Sequence, residues 1–175
     1  MTNTPKCPVC GSNLVLNELF YELPVVGRVY IYSYTCEKCK FTKRDIQLLD
    51  IKEPRIYTFT VENSRDLYTK IIRAPTGKIT LKEVGIEIIP GLIAEMFITN
   101  IEGLIYRIFD ILKTAQRFRE EENDQQGIKN IEYIRDYLNK VLEGKNRLTI
   151  IIEDPTGNSA IISGKAKIKK FKPQQ

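Results

Sequence analysis

Cys7, Cys10, Cys36 and Cys39 are the only cysteines of this 175-residue chain, and they fall in two CxxC steps, Cys7-Pro8-Val9-Cys10 and Cys36-Glu37-Lys38-Cys39. A CxxC turn holds both sulfurs on one side of a tight loop, and two such turns supply the four thiolates of a tetrahedral Zn2+ site. Protein atoms then fill every coordination position. With none left for water or substrate, the metal is expected to be structural and not catalytic. The chain has no histidine, so a mixed Cys/His site is excluded. A dithiol redox pair is the rival reading of any single CxxC, but two copies without a βαβ context fit metal ligation better. With every cysteine assigned to the metal, the chain suits a reducing cytosol.

Other residues with possible chemistry have weaker claims. Ser159, in the turn Asp154-Pro155-Thr156-Gly157-Asn158-Ser159, has no histidine and no evident base to activate it, so a tight turn between strands is the better reading. Gly77-Lys78 resembles a fragment of a phosphate-binding loop. However, Ile72 stands where the first glycine is needed, and Ile79 where Ser or Thr should follow the lysine. No enzymatic activity is expected. The net charge of +5 sits in the tail from Lys165 to Gln175, which holds five lysines and no acid, leaving 22 basic and 22 acidic residues elsewhere. A broad basic face for a phosphate backbone is therefore not evident, and nucleic acid is not the expected partner. The alternative is a nucleic-acid-binding ribbon acting through this tail; its regular lysine alternation also fits an edge strand guarded against pairing.

The elements that would position the cysteines follow from the same sequence. Leu14 to Leu23 and Val29 to Thr35 have strand composition, separated by Pro24 and Gly27, so a β-hairpin bridges the two knuckles into a zinc ribbon spanning residues 1–50. Gly11 follows the first knuckle, whereas Lys40 follows the second, so the second turn must manage without glycine. From residue 51 short strands recur, over Ile56–Val61, Lys70–Ala74, Gly77–Leu81, Gly85–Ile89 and Ile93–Thr99, at the spacing of a β-sandwich or barrel. The period then becomes helical. Leu104, Ile108, Ile111, Ala115 and Phe118 form one apolar face, and Ile128, Ile131, Ile134, Leu138, Val141 and Leu142 another, giving an antiparallel hairpin over 103–143. Strands resume with Leu148–Ile152 and Ala160–Ser163. The expected class is α+β: a four-cysteine ribbon, then a β-sandwich domain (51–175) with an inserted helical hairpin. Apolar runs are too short to span a membrane and no charged-then-apolar leader precedes Cys7, so a cytoplasmic, non-exported protein is expected.

Several motifs occur together in a specific order: the paired CxxC, Arg44-Asp45, Gly85-Ile86-Glu87-Ile88-Ile89-Pro90-Gly91, Thr99-Asn100-Ile101-Glu102-Gly103-Leu104 and Glu153 to Ser159. In these the chain resembles the Zpr zinc-finger family, whose eukaryotic members bind translation elongation factor 1-alpha. The resemblance implies a zinc ribbon followed by a double-stranded β-helix domain with a helical-hairpin insertion. It also implies a protein partner, an elongation factor 1-alpha-type GTPase assisted in folding or in passing between nucleotide states. Eukaryotic members carry two such units in tandem; this chain has one, like the short archaeal form. Candidate partner contacts are Arg44 and Asp45, otherwise a surface pair on the strand leaving the second knuckle, and Glu120, Glu121 and Glu122. These three acids sit at the negative end of a helix dipole, where local stability does not favour them. They read either as a solvated helix end or as a recognition tip for a basic surface.

Overall fold

In the computed structural model, which describes residues 4–172, the chain divides into two compact units, Met1–Lys52 and Glu53–Gln175. The first is built on β1 (Val15–Leu23), β2 (Gly27–Thr35) and β3 (Thr42–Leu48), an antiparallel sheet in the order β1-β2-β3. Pro24 lacks a donor and ends β1. Val25 (φ 71) and Gly27 (φ 105) then turn the chain. Asp50 fastens this end of the sheet by accepting from the Arg28 amide at 2.8 Å and its Nη2 at 2.7 Å. A Cβ at residue 27 would stand 2.9 Å from the Asp50 carboxylate, so glycine is required for closeness as well as for its positive φ.

The second unit runs β4 (Arg55–Val61), β5 (Lys70–Arg73), β6 (Lys78–Leu81), β7 (Ile86–Ile88), β8 (Phe97–Asn100), α1 (Ile101–Glu121), α2 (Gln125–Leu142), β9 (Leu148–Asp154), β10 (Ala160–Ile162) and β11 (Lys167–Lys170). The strands form a five-stranded sheet, β11-β4-β9-β6-β7, and a three-stranded sheet, β10-β5-β8, with antiparallel neighbours throughout. Strict alternation builds the core, because side chains of a strand point to opposite faces in turn. In β9, Leu148, Ile150 and Ile152 face inward and are wholly buried. Their register partners Val61, Phe59 and Tyr57 in β4, and Leu81 and Ile79 in β6, are buried with them. Ile71, Ile72, Ala160 and Ile161 contribute from the smaller sheet. The architecture is the α+β arrangement expected, with the helical hairpin entering between β8 and β9.

Both helices begin in the same way. Asn100 accepts from the Gly103 amide at 2.7 Å, and Asp124 from the Gly127 amide at 2.9 Å, each an N-cap satisfying a donor that the helix leaves orphaned. Two expectations need correction. Strand structure begins at Phe97 and not at Ile93, because β8 pairs only with the four residues of β5 and Pro90-Gly91 opens a turn closed by Ala94 N–H to Gly91 O at 3.1 Å. The apolar face of α1 is also only half buried: Leu104, Ile105, Ile108 and Leu112 are covered, but Ile111 and Phe118 are exposed. Support for α1 from outside the hairpin comes at its first turn, where Ile101 donates to Thr69 O. Farther along, α2 is its neighbour, through polar contacts such as Arg135 to Gln116 at 2.9 Å.

Candidate metal centre

The two knuckles are built alike, bond for bond. Cys7 N–H donates to Ser12 O and Cys36 N–H to Phe41 O, both at 2.8 Å. Gly11 N–H returns to Cys7 O and Lys40 N–H to Cys36 O, both at 2.9 Å. Gly11 and Lys40 occupy equivalent left-handed positions, with φ 71 and 62. Lysine there carries a Cβ penalty that Gly11 avoids.

This repetition brings the four sulfurs into one cluster, all within 4.8 Å of one another. Cys7 Sγ lies 3.5 Å from Cys39 Sγ, and Cys10 Sγ 3.5 Å from Cys36 Sγ. A tetrahedron with metal–sulfur bonds of about 2.3 Å has edges of about 3.8 Å, so the cluster has the size of a four-thiolate shell. Cys7 and Cys36 are buried with Leu14, and Tyr34 and Phe41 pack against them. Without the metal bonds this cluster would be a very small core. The thiols differ in acidity. The hydroxyl and the backbone N–H of Ser12 hold Cys10 down to about 6. The Phe41 N–H also favours the thiolate of Cys39, but burial and the three neighbouring thiols outweigh it and push Cys39 up to about 12. Ser12 was not singled out by sequence reasoning; a hydroxyl two residues beyond a knuckle is its only signal.

The other candidates are more scattered. Arg44 and Asp45 are successive residues of β3 and therefore point to opposite faces of the ribbon sheet. Asp45 accepts from the Tyr32 hydroxyl at 3.1 Å, beside a row of rings formed by Phe20, Tyr30, Tyr32 and Tyr34, with successive centroids 4.9, 5.2 and 5.6 Å apart. Arg44 is exposed on the other face, near Leu19 and Ile31.

Glu120, Glu121 and Glu122 are exposed at the end of α1. Gln116 donates to Glu120 at 2.8 Å. Arg119 pairs with Glu122 at 3.3 Å and with Asp124 at 3.2 Å. Arg119, which sequence reasoning passed over, thus stitches the tip between the helices.

The Asp154 turn is a structural lock. The buried Asp154 carboxylate accepts from the Thr76 hydroxyl (2.6 Å), the Thr156 amide and hydroxyl (both 2.9 Å) and the Ser159 amide (2.6 Å). Ser159 Oγ is occupied as acceptor for the Ala74 amide at 2.9 Å. Gly77 lies so close that a Cβ would meet this oxygen at 2.6 Å, and Lys78 pairs with Glu87 at 2.6 Å. In the tail, β11 forms an edge of the larger sheet, with Lys165 paired to Asp66 at 2.9 Å and Lys170 to Glu53 at 2.5 Å. The last three tail residues lie outside the described range. Among the described residues, no helix is long and apolar enough to cross a membrane.

Residues 1–50 match the ZPR1 zinc-finger domain and residues 65–174 the ZPR1 jelly-roll domain. An uncharacterized ZPR1-like protein of Pyrococcus horikoshii is 38% identical, over 97% of this chain and 77% of its own length. A second, from Methanocaldococcus jannaschii, is 38% identical over 89% of this chain and 78% of its own. The zinc finger chaperone zpr1 of Schizosaccharomyces pombe is 26% identical over 87% of this chain, which spans only 34% of that longer protein.

Proposed function

Since this chain belongs to the ZPR1 family, we propose that it is a zinc-stapled, non-enzymatic, cytoplasmic binding protein of the translation machinery. Zn2+ held by Cys7, Cys10, Cys36 and Cys39 keeps the ribbon folded. The partner is a GTPase of the elongation factor 1-alpha type, whose exposed surface is masked while it folds or passes between nucleotide states.

The observation that carries this reading is the hairpin end. It offers four carboxylates, Glu120, Glu121, Glu122 and Asp124; Arg119 pairs with two of them, and Arg117 and Arg135 line the groove beside Glu120. Exposed apolar residues Ile111 and Phe118 accompany them on α1. Carboxylates at a helix C-terminus oppose the dipole. An acidic end beside exposed apolar groups suits a basic protein surface, for which charge speeds association and apolar contact holds the complex. The fission-yeast relative is named a chaperone, which points the same way.

The test is direct titration of the organism's own elongation factor with wild-type protein and with Glu120→Lys/Glu121→Lys/Glu122→Lys. The triple reversal is expected to bind at least about tenfold more weakly at low salt. The difference should shrink as salt rises, because exposed charges are screened over roughly 8–10 Å. Equal affinities with an intact fold remove the tip from the interface. No binding of the factor by the wild-type protein removes the reading itself.

A further inference from the structure

The two sheet edges formed by β1 and β11 are treated in opposite ways. β11 carries Lys167, Lys169 and Lys170, the charged residues that keep other strands away. β1 is longer, nine residues reading Val-Leu-Asn-Glu-Leu-Phe-Tyr-Glu-Leu, with no lysine, arginine or proline. It lies outermost in the ribbon sheet, so alternate backbone N–H and C=O groups point away from β2, and among the described residues no strand pairs with them. Eight of its nine residues are exposed. The apolar ones occupy both faces: Leu16 and Phe20 on one, Val15, Leu19 and Tyr21 on the other, each 40–67% exposed. A strand apolar on both faces is the pattern of one meant to be covered on both sides.

We propose that β1 is a docking strand whose free edge takes an extended segment of another protein, bearing arginine or lysine, as a fourth strand of the ribbon sheet. The backbone ladder supplies the attachment, as in other cases of strand addition. The charge of the occupant follows from the side chains. Glu18 and Glu22 are the only charged groups of β1 and share the face that carries Phe20, Tyr30, Tyr32 and Tyr34. Glu18 accepts from the Tyr30 hydroxyl at 2.7 Å, and Asp45 stands at the next ring. Carboxylates set among aromatic rings suit a guanidinium, which pairs with the acid and stacks on the ring. The same face also carries Arg28, opposite Glu22 and already paired with Asp50 at 2.7 Å, and Lys43, opposite Tyr34. A phosphate backbone would still meet Glu18, Glu22 and Asp45, so the face suits a cation better than nucleic acid. A second copy pairing antiparallel along the same edge would add two more carboxylates and no cation. The inference does not rest on the GTPase reading and stands whether or not that partner is bound.

The test uses the full-length zinc-loaded protein and two synthetic nine-residue peptides, one alternating valine with arginine and one alternating valine with glutamate. The arginine peptide is expected to bind, weakening with salt, and to shift backbone amide resonances of 15–23; the glutamate peptide is not. Glu18→Lys/Glu22→Lys should weaken the arginine peptide at least about tenfold while zinc stoichiometry is unchanged. If that variant loses zinc, Leu19→Lys, which guards the edge with a single cation, provides the same comparison. Equal binding of both peptides, no binding, or shifts confined to the helical hairpin would overturn the proposal. So would a concentration-dependent dimer that Leu19→Lys dissolves, since the occupant of the edge would then be a second copy.

Discussion

Lys40 holds a left-handed conformation that its counterpart Gly11 adopts without cost. Lys40→Gly should therefore stabilise the ribbon, by about 1 kcal/mol or less once the greater freedom of glycine in the unfolded chain is counted; metal-dependent thermal melting measures it. Cys36→Ser should have the opposite result, loss of the metal by elemental analysis, since the chain holds no other cysteine that could replace the ligand. Metal binding should also depend on pH in two regimes. Zinc binds thiolates, so each thiol still protonated must release its proton. With Cys10 at about 6, affinity should fall more steeply below that pH than above it, and Ser12→Ala should move the break upward. Competition against a chelator from about pH 5 to 8 reads this directly. In the other unit, burial alone would raise the Asp154 carboxyl, but the Thr76 hydroxyl and the donors of Thr156 and Ser159 outweigh it and hold it below its ordinary value. A depressed folded-state value means stability that is present above the unfolded carboxyl range and lost as pH falls through the folded value. Asp154→Asn should remove that acid dependence and cost roughly 2 kcal/mol or more at neutral pH, because the amide cannot accept the same set of bonds.

Among the elements, the helix starts give a prediction that runs against propensity. Gly→Ala inside a helix ordinarily gains about 1 kcal/mol. At Gly103 the new Cβ would stand 2.3 Å from Thr99 Oγ1 and 3.0 Å from Asn100 Oδ1, and at Gly127 2.4 Å from Asp124 Oδ2. Alanine at 103 must displace the Thr99 hydroxyl and crowd the Asn100 cap, and alanine at 127 must displace the Asp124 cap, so neither should deliver that gain. A rise of a full kcal/mol in urea unfolding would show that the caps swing aside freely. The strand from Leu148 and the apolar faces of both helices were legible in the sequence, because composition and period are local signals. The cap at Asn100 was not, since the helical pattern was expected only from 103 and α1 begins at Ile101. The burial of Ile111 and Phe118 was misjudged. Periodicity shows which side of a helix is apolar, but not how far along its length another element covers it. The four cysteines were legible for a different reason: spacing restricts ligand geometry almost as tightly as structure does. Arg119 and Ser12 were not, since a single arginine or serine has no pattern until its neighbours in space are known.

For the whole molecule, the two units should respond differently to chelation. The ribbon has a small core around Cys7, Leu14 and Cys36, whereas the second unit buries aliphatic and aromatic residues across two sheets and a helical hairpin. Stripping the metal should abolish the ribbon's β signal in NMR and leave the thermal midpoint of the second unit within a few degrees. A single cooperative collapse of both would show that the metal sustains more than its own unit.

The insertion of the hairpin between β8 and β9 also sets an order in time. In the larger sheet β4 waits for β9, Arg55 pairing with Asp154 and Val61 with Leu148, and in the smaller β5 waits for β10, Ile72 pairing with Ala160. A chain emerging from the ribosome N-terminus first has its ribbon, closed by contacts within residues 4–52, available early. The β domain cannot close its central pairings until synthesis passes residue 160. The helices form from local contacts in the interval, and the long-range pairing comes last and slowest. A protein proposed to attend the folding of another thus has a β domain that can close only near the end of its own synthesis.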